Sequence, residues 1–176
     1  MLYYIHGYLS SPNSTKGTLL KKTLNAHPIK YRDCQPEELL ISDCLNQISN
    51  VIKNDHEVTL IGSSLGGLLA VKTAQKNQNV KKLILLNPAI IPPDTDLNTI
   101  SDMPQSILQD MIDKNLFEKK LPQETHILVG TEDDLLPIQW VLSFAQKQEA
   151  TIKFLHDDHS LSKNIKQLPK LIKKII

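Results

Sequence analysis

The chain has 176 residues, 40% of them hydrophobic and 22% charged, with a formal net charge of +1. That length suits one domain over residues 1–176 with a real core, and the near-zero charge offers no field to draw in nucleic acid or an anionic membrane. No apolar run approaches the roughly 18 residues of a membrane span, and the apolar start Met1-Leu2-Tyr3-Tyr4-Ile5 is too short and lacks the basic flank of a signal peptide. A cytoplasmic protein without stable membrane association is expected, with Cys34 and Cys44 as reduced thiols.

Residues 2–5 form a short buried strand that stops at His6-Gly7, and residues 16–26 read as a helix with Leu19, Leu20 and Leu24 on one side. A second strand is expected at 28–31. Glu37-Glu38 open a helix in which Ile41, Leu45, Ile48 and Ile52 recur at three- and four-residue spacing. Residues 57–61 form the third strand, 65–75 a helix, and 80–86 the fourth strand, which ends at Asn87-Pro88.

Alternation then breaks. Pro92-Pro93-Asp94 makes a turn, while Ile107, Leu108, Met111, Ile112, Leu116 and Phe117 have helical spacing. Residues 92–123 are expected to be a short helical insertion after the fourth strand: either a lid lending aliphatic side chains, with Tyr8 and Leu65, to a modest acyl pocket, or plain packing on the sheet. Strands at 126–129 and 151–155 flank a helix at 138–148, and a last helix lies near 165–175, where Pro169 argues for a start near Leu168 or an irregular first turn. Six strands alternating with helices predict a mainly parallel sheet in a three-layer α/β sandwich. Ligands bind such sheets beyond the carboxyl ends of the strands. That edge gathers His6-Gly7-Tyr8, Ser64, the acids after the fifth strand, and His159.

The chemistry centres on Gly62-Ser63-Ser64-Leu65-Gly66-Gly67, set between a strand pattern and a helix pattern. A Gly-x-Ser-x-Gly in that place is a nucleophile elbow, a turn so tight that small residues must flank the serine by two positions; the frame selects Ser64. A serine hydroxyl is a weak nucleophile and needs a base, with a third group to orient the base. Of six histidines, His27, His56 and His126 sit at the wrong edge, and His6 belongs to a glycine loop whose backbone N–H groups are the better working parts. His156 continues the last strand, whereas His159 lies in the loop before the final helix and is preferred as the base. Glu132, Asp133 and Asp134 all follow the fifth strand as candidate orienting acids. Backbone N–H groups of Leu65 and Tyr8 are the candidate oxyanion donors. No His/Cys cluster has metal-ligand spacing and no phosphate loop follows a strand, so neither a metal nor a cofactor is expected.

His6-Gly7-Tyr8-Leu9-Ser10-Ser11-Pro12, the elbow, Leu86-Asn87-Pro88-Ala89 and Asp158-His159-Ser160 together resemble the small bacterial esterases of the YqiA-like (UPF0227) family, in the α/β-hydrolase superfamily. The resemblance spans nearly the whole chain. It implies an α/β-hydrolase fold, no cofactor, and a serine esterase acting on simple carboxylic or thioester substrates. Gly130-Thr131-Glu132-Asp133-Asp134-Leu135-Leu136-Pro137 resembles the superfamily's Gly-x-x-Asp-x-x-Val-Pro pattern and so implies Asp133 as the acid, in the chain order Ser64, Asp133, His159. The family often has glycine before the histidine; here Asp157-Asp158 stand there, carboxylates placed to raise the histidine's pKa or compete for its hydrogen bond. The expectation is a hydrolase of a small-molecule acyl ester or thioester. The rivals are an idle fold acting as a protein-binding module, and an amidase or peptidase on the same residues.

Overall fold

The computed structural model describes residues 1–176. Its strands are β1 (Leu2–Ile5), β2 (His27–Ile29), β3 (Val58–Ser63), β4 (Val80–Leu86), β5 (Glu124–Gly130) and β6 (Thr151–Leu155). The helices are α1 (Thr15–Leu24), α2 (Ile41–Ile52), α3 (Leu65–Lys76), α4 (Gln105–Met111), α5 (Asn115–Glu118), α6 (Ile138–Gln148) and α7 (Leu168–Lys173). One sheet runs β2-β1-β3-β4-β5-β6, and every neighbouring pair is parallel.

Side chains on a strand point alternately to opposite faces, and here that alternation divides the core in two. Tyr3, Ile5, Leu60, Leu83, Leu85, Ile127 and Val129 face the larger cluster, which is completed by α2, α3 and α6. Tyr4, Ile61, Ile84, Leu86 and Leu128 face the opposite way, onto Leu20 of α1 and Leu168 and Ile172 of α7. Because helices cover both faces, the central strands read as continuous apolar runs rather than polar-apolar alternation. Helix α3 is buried along most of its length, from Leu65 to Ala74, because α2 and the segment after β4 cover its outer side.

From β1 the chain moves outward to β2, then returns across β1 to β3 and continues the other way. The crevice at the carboxyl ends of β1 and β3 is therefore the topological switch point of the sheet, where open α/β sheets bind ligands. Gly7 and Tyr8 follow one of these strands and Ser64 the other.

Several elements differ from expectation. The sheet is wholly rather than mainly parallel. Glu37-Glu38 do not open α2; they belong to a 3-10 turn, Pro36–Glu38, after which Leu39 and Leu40 are extended and α2 begins at Ile41. Leu39 is buried there and anchors the approach to the helix. Strand β2 stops at Ile29, so Tyr31 lies beyond it, its side chain fully buried. The insertion contains a 3-10 turn (Leu97–Thr99) and two short helices, because Ile112 takes an extended conformation and Asp113 accepts the N–H of Asn115 to start α5. The last helix, α7, begins at Leu168 with Pro169 in its first turn, the start that the proline leads one to expect.

Candidate active site

Ser64 links β3 to α3 with φ 54° and ψ −121°, a left-handed conformation that costs a non-glycine residue on the order of 1–3 kcal/mol. The surrounding backbone holds it: Ser64 N–H donates to the Leu86 carbonyl at 3.0 Å, and its own carbonyl accepts from Gly67 at 2.8 Å and Ala89 at 3.0 Å. The flanking glycines are steric requirements. A Cβ on Gly62 would lie 2.3 Å from the Gly66 carbonyl oxygen, and one on Gly66 would lie 2.2 Å from that of Ile5.

The loop after β6 brings His159 to this serine. His159 Nε2 lies 3.0 Å from Ser64 Oγ, and Nδ1 lies 2.7 Å from Asp133 Oδ2. An ionised carboxylate only accepts, so Nδ1 carries the proton and Nε2 is left to accept from the serine hydroxyl. The other oxygen of Asp133 accepts the backbone N–H groups of Leu135 and Leu136, each at 3.0 Å, which fixes the carboxylate from behind. Of the three acids after β5, Asp133 is the one that meets the imidazole. Glu132 faces outward to Lys163 and His156, so His156 is an exposed residue beside Glu132, away from the serine. His126 pairs with Glu124 at the start of β5, on the opposite edge.

Two groups named in the sequence, Asn87 and Asp157, take positioning roles that sequence reasoning did not assign to them. The buried Asn87 side chain, at the end of β4, accepts the Gly130 N–H at 2.7 Å and donates to the carbonyls of Asp158 at 3.1 Å and His159 at 2.8 Å. One amide thus ties the end of β5, three residues before Asp133, to the loop carrying His159. Asp157 is fully buried and accepts from the N–H groups of Asp158 (2.9 Å), Lys163 (3.0 Å) and Asn164 (2.8 Å), and from Asn164 Nδ2 (2.9 Å). Burial pushes its pKa up, but the donated bonds from Asn164, Lys163 and Asp158 outweigh it, and the carboxyl is held below its ordinary value. Asp158 turns to Ser162, whose bonds lower its pKa as well. Neither acid bonds His159; the expected competition does not occur, because both carboxylates point into the loop that they organise. The one sequence signal was an asparagine at a strand end before a proline; that Asp157 is buried shows only in the fold.

Ser64 and His159 open into a cavity of about 690 Å³. One wall is apolar, formed by Ile91, Ile100, Met103, Leu108, Met111 and Trp140. Five of these six belong to the segment after β4, which packs its Ile107, Leu108, Met111 and Leu116 into the larger core and also lines the cavity. Tyr8 and Leu65 border the same space. As the first residue of α3, Leu65 has an N–H with no carbonyl a turn earlier in the helix to accept it.

The model of an uncharacterised protein family, UPF0227, matches residues 1–175. The chain belongs to that family. No curated protein matches it by sequence. Among solved structures, Est1E from Butyrivibrio proteoclasticus with ferulic acid bound is 18% identical with a TM-score of 0.77, covering 99% of this chain and 88% of that one. Mouse alpha/beta hydrolase domain-containing protein 10 is 18% identical with a TM-score of 0.78, at 99% and 88% coverage. A lipase-esterase related protein from Clostridium acetobutylicum is 19% identical with a TM-score of 0.73, at 99% and 93%. These likenesses establish the α/β-hydrolase fold for this UPF0227 member. No helix is long and apolar enough to cross a membrane.

Proposed function

We propose that this protein is a serine hydrolase that cleaves a carboxylic ester or thioester through an acyl-serine intermediate. The observation that carries the reading is the continuous hydrogen-bonded line from Asp133 Oδ2 through the His159 imidazole to Ser64 Oγ, at 2.7 and 3.0 Å. In the first step Ser64 Oγ attacks the carbonyl carbon while its proton passes to His159 Nε2. Asp133 keeps the proton on Nδ1 and stabilises the imidazolium. The N–H groups of Leu65 and Tyr8 receive the developing oxyanion; a single such donor is typically worth about 3 kcal/mol of barrier. Collapse of the tetrahedral intermediate breaks the C–O or C–S bond, and Nε2–H protonates the departing alkoxide or thiolate. Water, deprotonated by the same nitrogen, then releases the acid and regenerates Ser64.

The apolar wall of the cavity suits an aliphatic acyl chain, and its size falls within the usual range for small-molecule sites. The test is turnover of p-nitrophenyl esters of graded chain length, acyl-coenzyme A thioesters and short peptides, beside a Ser64→Ala variant. Ester or thioester hydrolysis lost in that variant supports the reading; full turnover without the hydroxyl removes Ser64 as nucleophile. Preferential cleavage of peptides would move the activity to amides.

A further inference from the structure

The loop that follows β1 carries a clamp whose three side chains do not touch the cavity. The Gly7 carbonyl accepts two hydrogen bonds, from His6 Nδ1 at 2.9 Å and from the Tyr31 hydroxyl at 3.2 Å. Both donors are buried, His6 at 2% exposure and Tyr31 at 0%. Their rings stack at 4.3 Å with an interplanar angle of 26°, so each fixes the other's direction. Two residues after the Tyr8 N–H, the Ser10 carbonyl accepts from Arg32 Nη2 at 3.2 Å, and the Arg32 guanidinium sits 5.6 Å from the centre of the Tyr31 ring. The segment beyond β2 therefore grips the loop on both sides of Tyr8.

The geometry assigns His6, Tyr31 and Arg32 as positioning residues that aim the Tyr8 N–H at the oxyanion formed on Ser64, an assignment that rests on the hydrolase reading above. The peptide joining Gly7 to Tyr8 is trans, since the chain has no cis bonds. In a trans peptide the C=O and the N–H lie in one plane and point in opposite directions. Fixing the Gly7 oxygen with two donors occupies both of its lone pairs and leaves that plane one orientation. The Tyr8 N–H is then directed to the other side, and no backbone carbonyl in the loops and turns accepts it. The loop also lies against the nucleophile, for a Cβ on Gly7 would come 3.2 Å from Ser64 Cβ.

The donors are in the right ionic form for this work. Burial above all, opposed by the bond to Gly7 and aided by the nearby Arg32 charge, lowers the His6 pKa to about 4, so the ring is neutral at pH 7. A carbonyl can only accept, which puts the single ring proton on Nδ1. Burial raises the Tyr31 pKa, and its hydroxyl keeps the proton it donates.

The experiment compares wild type, Tyr31→Phe, His6→Gln and Arg32→Met for melting temperature, ester kinetics, and inhibition by a trifluoromethyl ketone, whose hemiketal oxyanion, formed by addition of Ser64 Oγ to the carbonyl carbon, mimics the tetrahedral intermediate. Tyr31→Phe preserves the ring and its stack and removes one donor. It is expected to lower kcat about 5- to 10-fold with KM within about twofold, the loss of one neutral hydrogen bond felt chiefly in the transition state. Ketone affinity should fall by the same factor as kcat while the melting temperature holds. Tyr31→Phe with unchanged kcat and unchanged ketone affinity, in a wild type that is active, overturns the assignment and leaves the hydrolase reading standing. A wild type that neither hydrolyses any ester nor binds the ketone overturns the hydrolase reading, and the assignment with it. Should the two core variants fail to fold, Arg32→Met decides: a kcat loss matched by ketone affinity supports the clamp, and wild-type values for both refute it.

Discussion

Replacing Asp157 should unfasten the loop that delivers His159 without touching any reacting group. Its carboxylate accepts four hydrogen bonds, three of them from backbone N–H groups within a segment that has no regular secondary structure. In Asp157→Ala those three N–H groups lose their acceptor in a closed site, at about 1–3 kcal/mol each before relaxation and water entry. A net loss of about 4 kcal/mol is expected, and at about 2–4 °C per kcal/mol for a domain of this size the melting temperature falls by about 8–16 °C. Asp157→Asn keeps one oxygen, which can still serve the N–H groups of Asp158 and Lys163. Its new amide can face Asn164, whose own side chain can flip to accept, so only the Asn164 backbone bond and the charge are lost. About 1–2 kcal/mol follows.

The pH dependence separates charge from packing. The folded pKa of Asp157 is depressed, so its stabilising contribution is complete above the unfolded value of about 3.9 and is lost as pH falls through the lower folded value. Thermal melts followed by circular dichroism from pH 7 downward should show the gap between wild type and Asp157→Asn narrowing below about pH 4. An Asp157→Ala protein that melts within about 2 °C of wild type at pH 7, or a gap that widens toward acid, would refute the reasoning.

Three further outcomes follow from distances already given. Asn87→Asp puts an oxygen where Nδ2 now donates to the carbonyls of Asp158 and His159; ester turnover should fall at least about tenfold with a lowered melting temperature, measured by p-nitrophenyl ester kinetics. Gly66→Ala forces a methyl to 2.2 Å from the Ile5 carbonyl oxygen; the elbow should lose about 3 kcal/mol or more, and the soluble yield and melting temperature report it. Met103→Trp adds bulk to the half-buried part of the apolar wall; the ratio of hexanoyl to acetyl ester kcat/KM should drop about tenfold with the melting temperature retained.

What could be read from residues alone was what local sterics dictate. Gly62 and Gly66 announce the elbow because nothing larger fits, and the strand ends announce the edge at which Ser64, Asp133 and His159 meet. The separation of His159 from His156 was legible too, since one continues a strand and the other lies past it. Long-range convergence of loops was not. Asp157 and Asp158 stand next to the histidine in sequence and look like electrostatic neighbours, yet their carboxylates turn into their own loop. Asn87 precedes a proline at a strand end, and only the fold puts its amide between two other loops. Tyr31 resembled one more apolar strand residue; its role depends on leaving the strand and meeting the Gly7 carbonyl 24 positions away. The insertion read as one helical stretch because periodicity cannot detect that Ile112 turns extended between two short helices.

The central claim is that Ser64 is a nucleophile activated by His159. Intact-mass and peptide spectrometry after incubation with a fluorophosphonate tests it most directly, because the reagent needs an activated serine and no knowledge of the substrate. The account predicts one adduct per chain, located on Ser64, absent in Ser64→Ala and formed far more slowly in His159→Gln. Folded wild-type protein that takes up no label, or labels at another residue, would contradict it.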